Sequence, residues 1–216
     1  EMTFSTDTWR RIAPVRDAIY AHPFVTGLGD GSLAGDRFAE YMVQDALYLA
    51  DYGRVLAALA MSSHDPDDLV FWASGARETI LVERQLHASH VAVLDAAEPS
   101  PSCRAYTSYL LSLVLGGSYA VAAAGVLPCY WIYADVGKRL LSGAGELAEH
   151  PYGDWIGLYA DDAFDAQVEQ AKSIVDRLAA GAGPDEVERM HQAFATATRY
   201  EWMFWDAAWR LETWPV

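Results

Sequence analysis

The chain has 216 residues, of which 52% are hydrophobic and 12% aromatic, so it can bury a sizeable core and is not intrinsically disordered. Its 30 acidic and 15 basic residues give a formal net charge of −15, and so acidic a surface repels nucleic-acid phosphates and anionic lipid. We therefore expect no nucleic-acid partner and no membrane partner, and we favour a small neutral or cationic ligand.

Helical periodicity recurs along the chain, and no segment shows the alternation of a half-buried strand. Glycine and proline punctuate the periodic segments, most densely at residues 27–35, 98–101 and 181–184. We find no repeat or linker, so we predict one all-α domain over residues 1–216, a single bundle of about seven helices. The predicted helices cover residues 6–21, 36–62, 67–94, 103–116, 119–142, 153–180 and 184–212.

In predicted helix 36–62, a face built at 3–4 residue spacing is apolar except for Asp45 at its centre, with Tyr48 in the next turn. A buried carboxylate is costly unless it is paired, hydrated or neutralised. Asp45 is therefore either a structural hydrogen-bonding residue or part of a polar cavity.

Predicted helix 67–94 carries Glu83, His87 and His90 on one face. Together with inward carboxylates from other helices, they could hold a metal pair in a helical bundle. The usual Glu-x-x-His spacing is absent, because Glu83 and His87 are four residues apart. A solvated or locally paired charged face is the better interpretation.

Predicted helix 119–142 places Cys129 on an apolar face, with Tyr133 one turn later. Buried free cysteines are usually inert packing residues. Pro128, however, removes a backbone donor beside Cys129 and bends the helix, which favours open space there.

The last predicted helix, 184–212, has an apolar face at 3–4 residue spacing, and Glu201 occupies a position on that face where an apolar residue is expected. Three helices thus each direct one reactive side chain inward: Asp45, Cys129 and Glu201. We predict that these side chains surround one shared polar cavity.

The two cysteines lie 26 residues apart and favour a reducing compartment over a disulfide framework. The N-terminal residues lack the basic start and apolar block of a signal peptide. We therefore predict a cytoplasmic protein.

Three segments, residues 41–49 (YMVQDALYL), 127–133 (LPCYWIY) and 200–205 (YEWMFW), resemble the thiaminase-II (TenA-type) family in order, spacing and connecting lengths. The resemblance implies a haem-oxygenase-like helical fold, a homotetramer, and no metal or organic cofactor. It also implies hydrolysis of 4-amino-5-aminomethyl-2-methylpyrimidine to the hydroxymethyl pyrimidine and ammonia, and cleavage of thiamin to that pyrimidine and the thiazole.

Carried over position by position, the family pattern assigns catalysis to Cys129, as nucleophile, and to Glu201, as acid and base. It also assigns a set of residues to substrate binding, which are Asp45, Tyr48, Tyr106, Tyr133, Tyr159 and Phe204. Tyrosines at these positions could equally be packing residues with solvated hydroxyls. Two other functions stay open: a metallo-oxygenase of the same fold, and a non-catalytic pyrimidine-binding module.

Overall fold

The computed structural model describes residues 2–216, with the backbone alone at residues 86, 87 and 89–92. The described chain is helical and contains no strand, which confirms the all-α prediction. A 3₁₀ turn at Leu147–Glu149 separates the seventh and eighth helices. The helices are α1 (Phe4–Arg11), α2 (Ala13–Ala21), α3 (Pro23–Asp30), α4 (Gly35–Ser62), α5 (Pro66–Leu94), α6 (Pro101–Leu115), α7 (Tyr119–Leu141), α8 (Gly153–Tyr159), α9 (Asp162–Ala180) and α10 (Pro184–Trp209).

The described residues form ten helices, and the prediction of about seven is corrected at three places. Predicted helix 6–21 breaks at Ile12, just before Pro14 in the first turn of α2. Predicted helix 153–180 breaks before Asp161, whose side chain caps α9 by accepting a 2.8 Å hydrogen bond from the Ala163 amide. In both cases the hydrophobic periodicity continues across the break, which hides it from a pattern search.

Helix α3 was missed because its glycines were interpreted as a loop. Pro23 occupies its first turn, and the His22 ring accepts a hydrogen bond from the Phe24 amide. Gly29 serves close packing, since a Cβ there would lie 2.7 Å from the Leu140 side chain of α7. Only Gly31, with φ of 83°, ends the helix in the left-handed conformation that glycine favours.

Helix α7 is the central helix of the bundle and packs against α6, α8, α9 and α10. Small side chains allow this close packing: a Cβ on Gly125 would lie 2.3 Å from the Leu113 side chain. Of the described helices, α7 is the one long and apolar enough to cross a membrane, but 78% of its most apolar window is buried inside the protein. Its composition is therefore explained by its place in the core.

Helices α4 and α5 pack against each other along their length, and α4 also contacts α6, α7 and α10. Helix α5 has α4 as its main neighbour, and it meets α9 through a 2.5 Å ion pair between Asp68 and Arg177. A pocket and a groove lie on this side of the bundle.

Candidate active site

A pocket of about 310 Å³ opens where α4, α5 and α7 meet the α8–α9 turn. Its size is at the lower end of the range for small-molecule sites, about 300–1,000 Å³. Its wall is mainly apolar and includes six aromatic side chains, and among the described residues it contains no lysine, arginine or histidine. Five of the residues singled out from the sequence line it, namely Asp45, Tyr48, Cys129, Tyr133 and Tyr159.

Asp45 reaches the pocket from the middle of α4 and is 9% exposed. Among the described residues, no group forms a hydrogen bond to its carboxyl. Burial raises the pKa of Asp45 from 3.8 to about 7, because the charged form loses hydration without gaining a partner. Near neutral pH the carboxyl can therefore either donate or accept a proton towards a bound ligand.

Cys129 faces the same pocket from α7, directly after Pro128, which lies inside an unbroken helix. Burial raises the pKa of its thiol well above 9.0, and the negative charge of Glu201 raises it further. The nearby hydroxyls of Tyr48 and Tyr52 lower the pKa, since they stabilise a thiolate. At neutral pH the resting cysteine is a thiol that needs a base before it can act as a nucleophile.

Glu201, on α10, is 1% exposed and does not belong to the pocket wall. Its carboxylate accepts a 2.5 Å hydrogen bond from the Tyr106 hydroxyl. Burial raises the pKa of Glu201 to about 8, the Tyr106 hydrogen bond opposes this rise, and the charge of Asp45 adds to it. The three side chains predicted to share a cavity thus lie within electrostatic range of one another, with Glu201 behind the wall.

The aromatic residues form two groups around the pocket. Tyr48 stacks on Tyr52, with ring centroids 5.3 Å apart, and contacts the rings of Tyr106 and Phe204 at 5.0 and 5.6 Å. The buried Tyr48 hydroxyl has no hydrogen-bond partner among the described residues. The hydroxyl lies close enough to the Cys129 thiol and the Tyr106 hydroxyl to lower the pKa of both groups, against the larger rise that burial causes.

In the second group, Tyr133 packs against Tyr159 with centroids 5.0 Å apart, and its hydroxyl accepts a 3.3 Å hydrogen bond from Tyr41. Tyr106 and Phe204, both assigned to substrate binding from the sequence, lie outside the wall beside Tyr48. They support the wall from behind and do not themselves face the pocket.

Several lining residues were missed from the sequence. Tyr52 follows Tyr48 by one turn on the same helix face, so the helical spacing could have predicted that it also lines the pocket. Glu78 and Thr79 come from α5, and Phe164 and Gln167 come from α9. No sequence pattern distinguished these four, and the two on α9 lie beyond a break that the predicted helix 153–180 did not contain.

The alternative metal site falls partly outside the described residues, because the side chains of His87 and His90 are not described. Among the side chains that are, no three histidine, cysteine, aspartate or glutamate residues cluster as metal ligands would. Glu83 lies on α5 and is not part of the pocket wall.

An all-helical protein with a thiol and a carboxyl facing one pocket, and a second carboxyl behind the pocket wall, has the groups needed for nucleophilic and acid–base hydrolysis. The sequence pattern of the TENA/THI-4/PQQC family matches residues 9–211. The chain belongs to this family, and its resemblance to TenA-type enzymes is confirmed.

Two curated relatives match almost end to end. The aminopyrimidine aminohydrolase of Halalkalibacterium halodurans is 35% identical, with 99% of this chain and 98% of that protein covered. The protein of the same name from Bacillus subtilis is 36% identical, with 99% and 92% covered. These similarities identify the protein as an enzyme of the hydrolase class.

Solved structures agree on the fold. A TenA homologue from P. horikoshii OT3 superposes with a TM-score of 0.84 at 25% identity, covering 97% of this chain and 99% of that one. A domain with a haem-oxygenase-like fold from Shewanella denitrificans OS217 gives 0.74 at 15% identity, covering 95% and 92%. The predicted haem-oxygenase-like fold is confirmed.

Proposed function

We propose that the protein is an aminopyrimidine aminohydrolase of thiamin salvage. It hydrolyses 4-amino-5-aminomethyl-2-methylpyrimidine to the hydroxymethyl pyrimidine and ammonia, and it cleaves thiamin to the same pyrimidine and the thiazole. The observation that carries the proposal is the unpartnered carboxyl of Asp45, which faces one small aromatic pocket together with the thiol of Cys129. The names of the full-length relatives point to the same substrate class.

Asp45 is suited to recognise an aminopyrimidine edge. That edge offers a ring nitrogen, which accepts a hydrogen bond, next to an exocyclic amine, which donates one. A neutral carboxyl presents the complementary donor and acceptor side by side. Because the pKa of Asp45 is about 7, the carboxyl can also pass its proton to the ring nitrogen as electron density moves into the ring.

Cys129 is the proposed nucleophile, and Glu201 is its base. Ionised Glu201 takes the thiol proton, which also removes the negative charge that opposes a thiolate. The sulfur then bonds to an electron-poor ring carbon while Asp45 protonates the ring nitrogen. Tyr48 and Tyr52 stabilise the thiolate before attack.

Elimination and hydration complete the turnover. Protonated Glu201 gives its proton to the leaving amine as the bond between that amine and the exocyclic methylene breaks. Water adds to the exposed methylene, and Glu201 takes a proton from it. The sulfur departs as a thiolate and takes the proton that Glu201 gained from water, and the ring nitrogen returns its proton to Asp45, so that the cysteine is again a thiol. Tyr133 and Tyr159 pack the ring during these steps.

The test is ammonia release from the aminomethyl pyrimidine by chelator-treated protein. Cys129→Ser should lose most of the activity, because a serine hydroxyl is far less acidic than a thiol. Cys103→Ser is the matched control, since Cys103 is buried in α6 and does not line the pocket. Near-normal turnover by Cys129→Ser would remove covalent catalysis. Activity that depends on bound iron would favour the metallo-oxygenase.

We further propose a cytoplasmic homotetramer. Support comes from large apolar side chains exposed on α5, where Leu69, Leu81 and Val93 are 44%, 44% and 54% exposed. Exposed apolar surface of this kind is typical of subunit contacts. Light scattering at micromolar concentration checks the assembly, and a monomer there would contradict it.

A further inference from the structure

Two buried polar side chains, Tyr41 and Trp155, pack against the pocket wall without lining the pocket themselves. Tyr41 lies on α4 one turn before Asp45, and it is fully buried. Trp155 lies on α8 one turn before Tyr159, and it is 7% exposed. The ring centroid of Trp155 is 4.7 Å from that of Tyr159 and 6.2 Å from that of Tyr133. Both side chains therefore support the pocket wall from behind.

A chain of two hydrogen bonds connects these side chains to the pocket. The Trp155 indole N–H donates to the Tyr41 hydroxyl oxygen over 3.4 Å, and the Tyr41 hydroxyl donates to the Tyr133 hydroxyl oxygen over 3.3 Å. An indole nitrogen is a donor only, so the chain can begin at Trp155 but cannot end there. Its other end is Tyr133, which lines the pocket.

The reverse direction of this chain is unfavourable at Tyr41. If Tyr133 donated to Tyr41, the hydroxyl hydrogen of Tyr41 would have no acceptor among the described residues. A buried donor without an acceptor loses its hydration and gains nothing in return. Bulk water does not reach Tyr41, because the side chain is fully buried. The single hydrogen of the Tyr41 hydroxyl is therefore committed to Tyr133.

The hydrogen of the Tyr133 hydroxyl is left without an acceptor in the described part of the chain. The hydroxyl oxygen already accepts from Tyr41, so its own hydrogen points away from Tyr41. The Asp45 carboxyl does not take this hydrogen, since burial alone accounts for the raised pKa of Asp45 and no hydrogen bond opposes it. Because Tyr133 lines the pocket, a ligand there can accept the hydrogen.

Resting on the proposed function, we infer that Tyr41 and Trp155 are positioning residues that hold the Tyr133 hydroxyl as a hydrogen-bond donor to the bound pyrimidine. The acceptors of an aminopyrimidine are its ring nitrogens, because the lone pair of the exocyclic amine is delocalised into the ring. Those nitrogens gain electron density as the Cys129 sulfur adds to the ring. A donor that is already oriented stabilises this charge without having to rotate during the reaction.

The contribution of this orientation should be larger in the transition state than in the bound substrate, because the ring is richest in electrons after the sulfur adds. Removing the orientation should therefore lower kcat more than it raises KM. A neutral hydrogen bond in a protein changes an equilibrium constant by about two- to tenfold, and the loss of orientation should not exceed that range.

The first test is Tyr41→Phe, which keeps the ring and removes the hydroxyl between Trp155 and Tyr133. The kcat for ammonia release from the aminomethyl pyrimidine should fall about three- to tenfold, with little change in KM. Tyr119→Phe is the matched control, because the Tyr119 hydroxyl also accepts an indole N–H, from Trp72 at 2.8 Å, and does not line the pocket. This control should keep the wild-type kcat. Equal losses of kcat in the two variants would overturn the inference.

The second test is a double-mutant cycle between Tyr41 and Tyr133. Tyr133→Phe removes the donor itself, so adding Tyr41→Phe to it should lower kcat no further. A purely structural role of the Tyr41 hydroxyl would lower kcat by the same factor in either background, because it would not act through Tyr133. Losses that multiply would therefore contradict the positioning role.

Trp155→Phe tests the start of the chain and does not require Tyr41→Phe to fold. In this variant no N–H faces the Tyr41 oxygen, so the hydrogen of Tyr41 is free to turn away from Tyr133. The kcat should fall by less than in Tyr41→Phe, again with little change in KM. An unchanged kcat would show that the indole does not orient the chain.

The two proposals fail in different ways. Wild-type protein that leaves the aminomethyl pyrimidine intact would refute the proposed function. Protein that hydrolyses this amine, yet keeps its full kcat in Tyr41→Phe or loses the same factor with and without Tyr133→Phe, would refute the positioning role alone.

Discussion

Replacing Glu201 with glutamine should make the protein more stable at neutral pH while it removes activity. Burial raises the pKa of Glu201 from 4.5 to about 8 in the folded protein. A folded pKa above the unfolded value means that the protonated form is favoured by folding. The resulting stability is fully present below about pH 4.5 and is lost as pH rises towards 8. Glutamine cannot ionise, so the variant escapes that loss.

The two pKa values set the size of the effect. With 4.5 in the unfolded chain and about 8 in the folded one, the free energy of unfolding of wild type is lowered by about 0.8 kcal/mol at pH 5 and about 3.9 kcal/mol at pH 7.5. Stability of the variant relative to wild type should therefore rise by about 3 kcal/mol over this range. The glutamine carbonyl can still accept the Tyr106 hydrogen bond, and any cost of its buried amide does not depend on pH.

The measurement is urea unfolding followed by tryptophan fluorescence, at one protein concentration and ionic strength, from pH 5 to 7.5. Glu146→Gln, in a solvent-exposed position, should show no such trend. A stability difference between Glu201→Gln and wild type that is constant over this range would mean that Glu201 is ionised in the folded protein. It would then not be available as a general acid at neutral pH.

Three other predictions test the pocket. Asp45→Asn keeps a donor and an acceptor but cannot release a proton, so kcat for ammonia release should fall about 10²-fold or more, while the pyrimidine affinity measured by calorimetry should change little. A loss of affinity as large as the loss of kcat would mean that Asp45 only binds the ring. For thiamin, whose charge is fixed, kcat/KM should be bell-shaped in pH, with limbs near 7 and 8 that belong to Asp45 and Glu201 as a pair; a flat profile from pH 6 to 9 would contradict this. Gly137→Ala should destabilise the fold by about 1 kcal/mol or more and raise KM, since its Cβ would lie 2.7 Å from the Tyr159 backbone carbon and 2.9 Å from the Ala160 nitrogen; a gain in urea stability, as helix propensity alone predicts, would refute it.

The sequence was most informative where a polar residue interrupts an apolar stripe. Asp45 and Cys129 were singled out in this way, and both line the pocket. A stripe specifies which face of a helix points inward, but it does not specify depth. Glu201 satisfies the same rule and lies behind the wall, bonded to Tyr106. Whether an inward side chain lines the pocket or lies behind its wall depends on how three helices pack together, and the periodicity of a single helix does not predict that packing.

Segments that escaped prediction share a physical cause. Glycine in α3 was interpreted as a chain break, although Gly29 serves contact with Leu140 of α7. The break before Asp161 was hidden because α8 and α9 present continuous apolar periodicity, and the outer wall of the pocket forms there. Close approach between helices and the geometry of one turn are tertiary properties, and neither appears in a 3.6-residue pattern.

We propose that the pocket discriminates between ligands by their basicity, since its described wall contains no lysine, arginine or histidine. Each of its three acids holds its proton more tightly than it would in water, since burial raises the pKa of Asp45, Glu201 and Cys129. No neighbouring positive charge among the described lining residues stabilises a thiolate, so the ligand has to supply the compensating group. A ring with a basic nitrogen does so, because it takes the proton of Asp45 and becomes both cationic and electron-poor. A ring of the same shape without that nitrogen would fill the pocket and leave Cys129 a thiol, so the protonation of the ring couples recognition to attack.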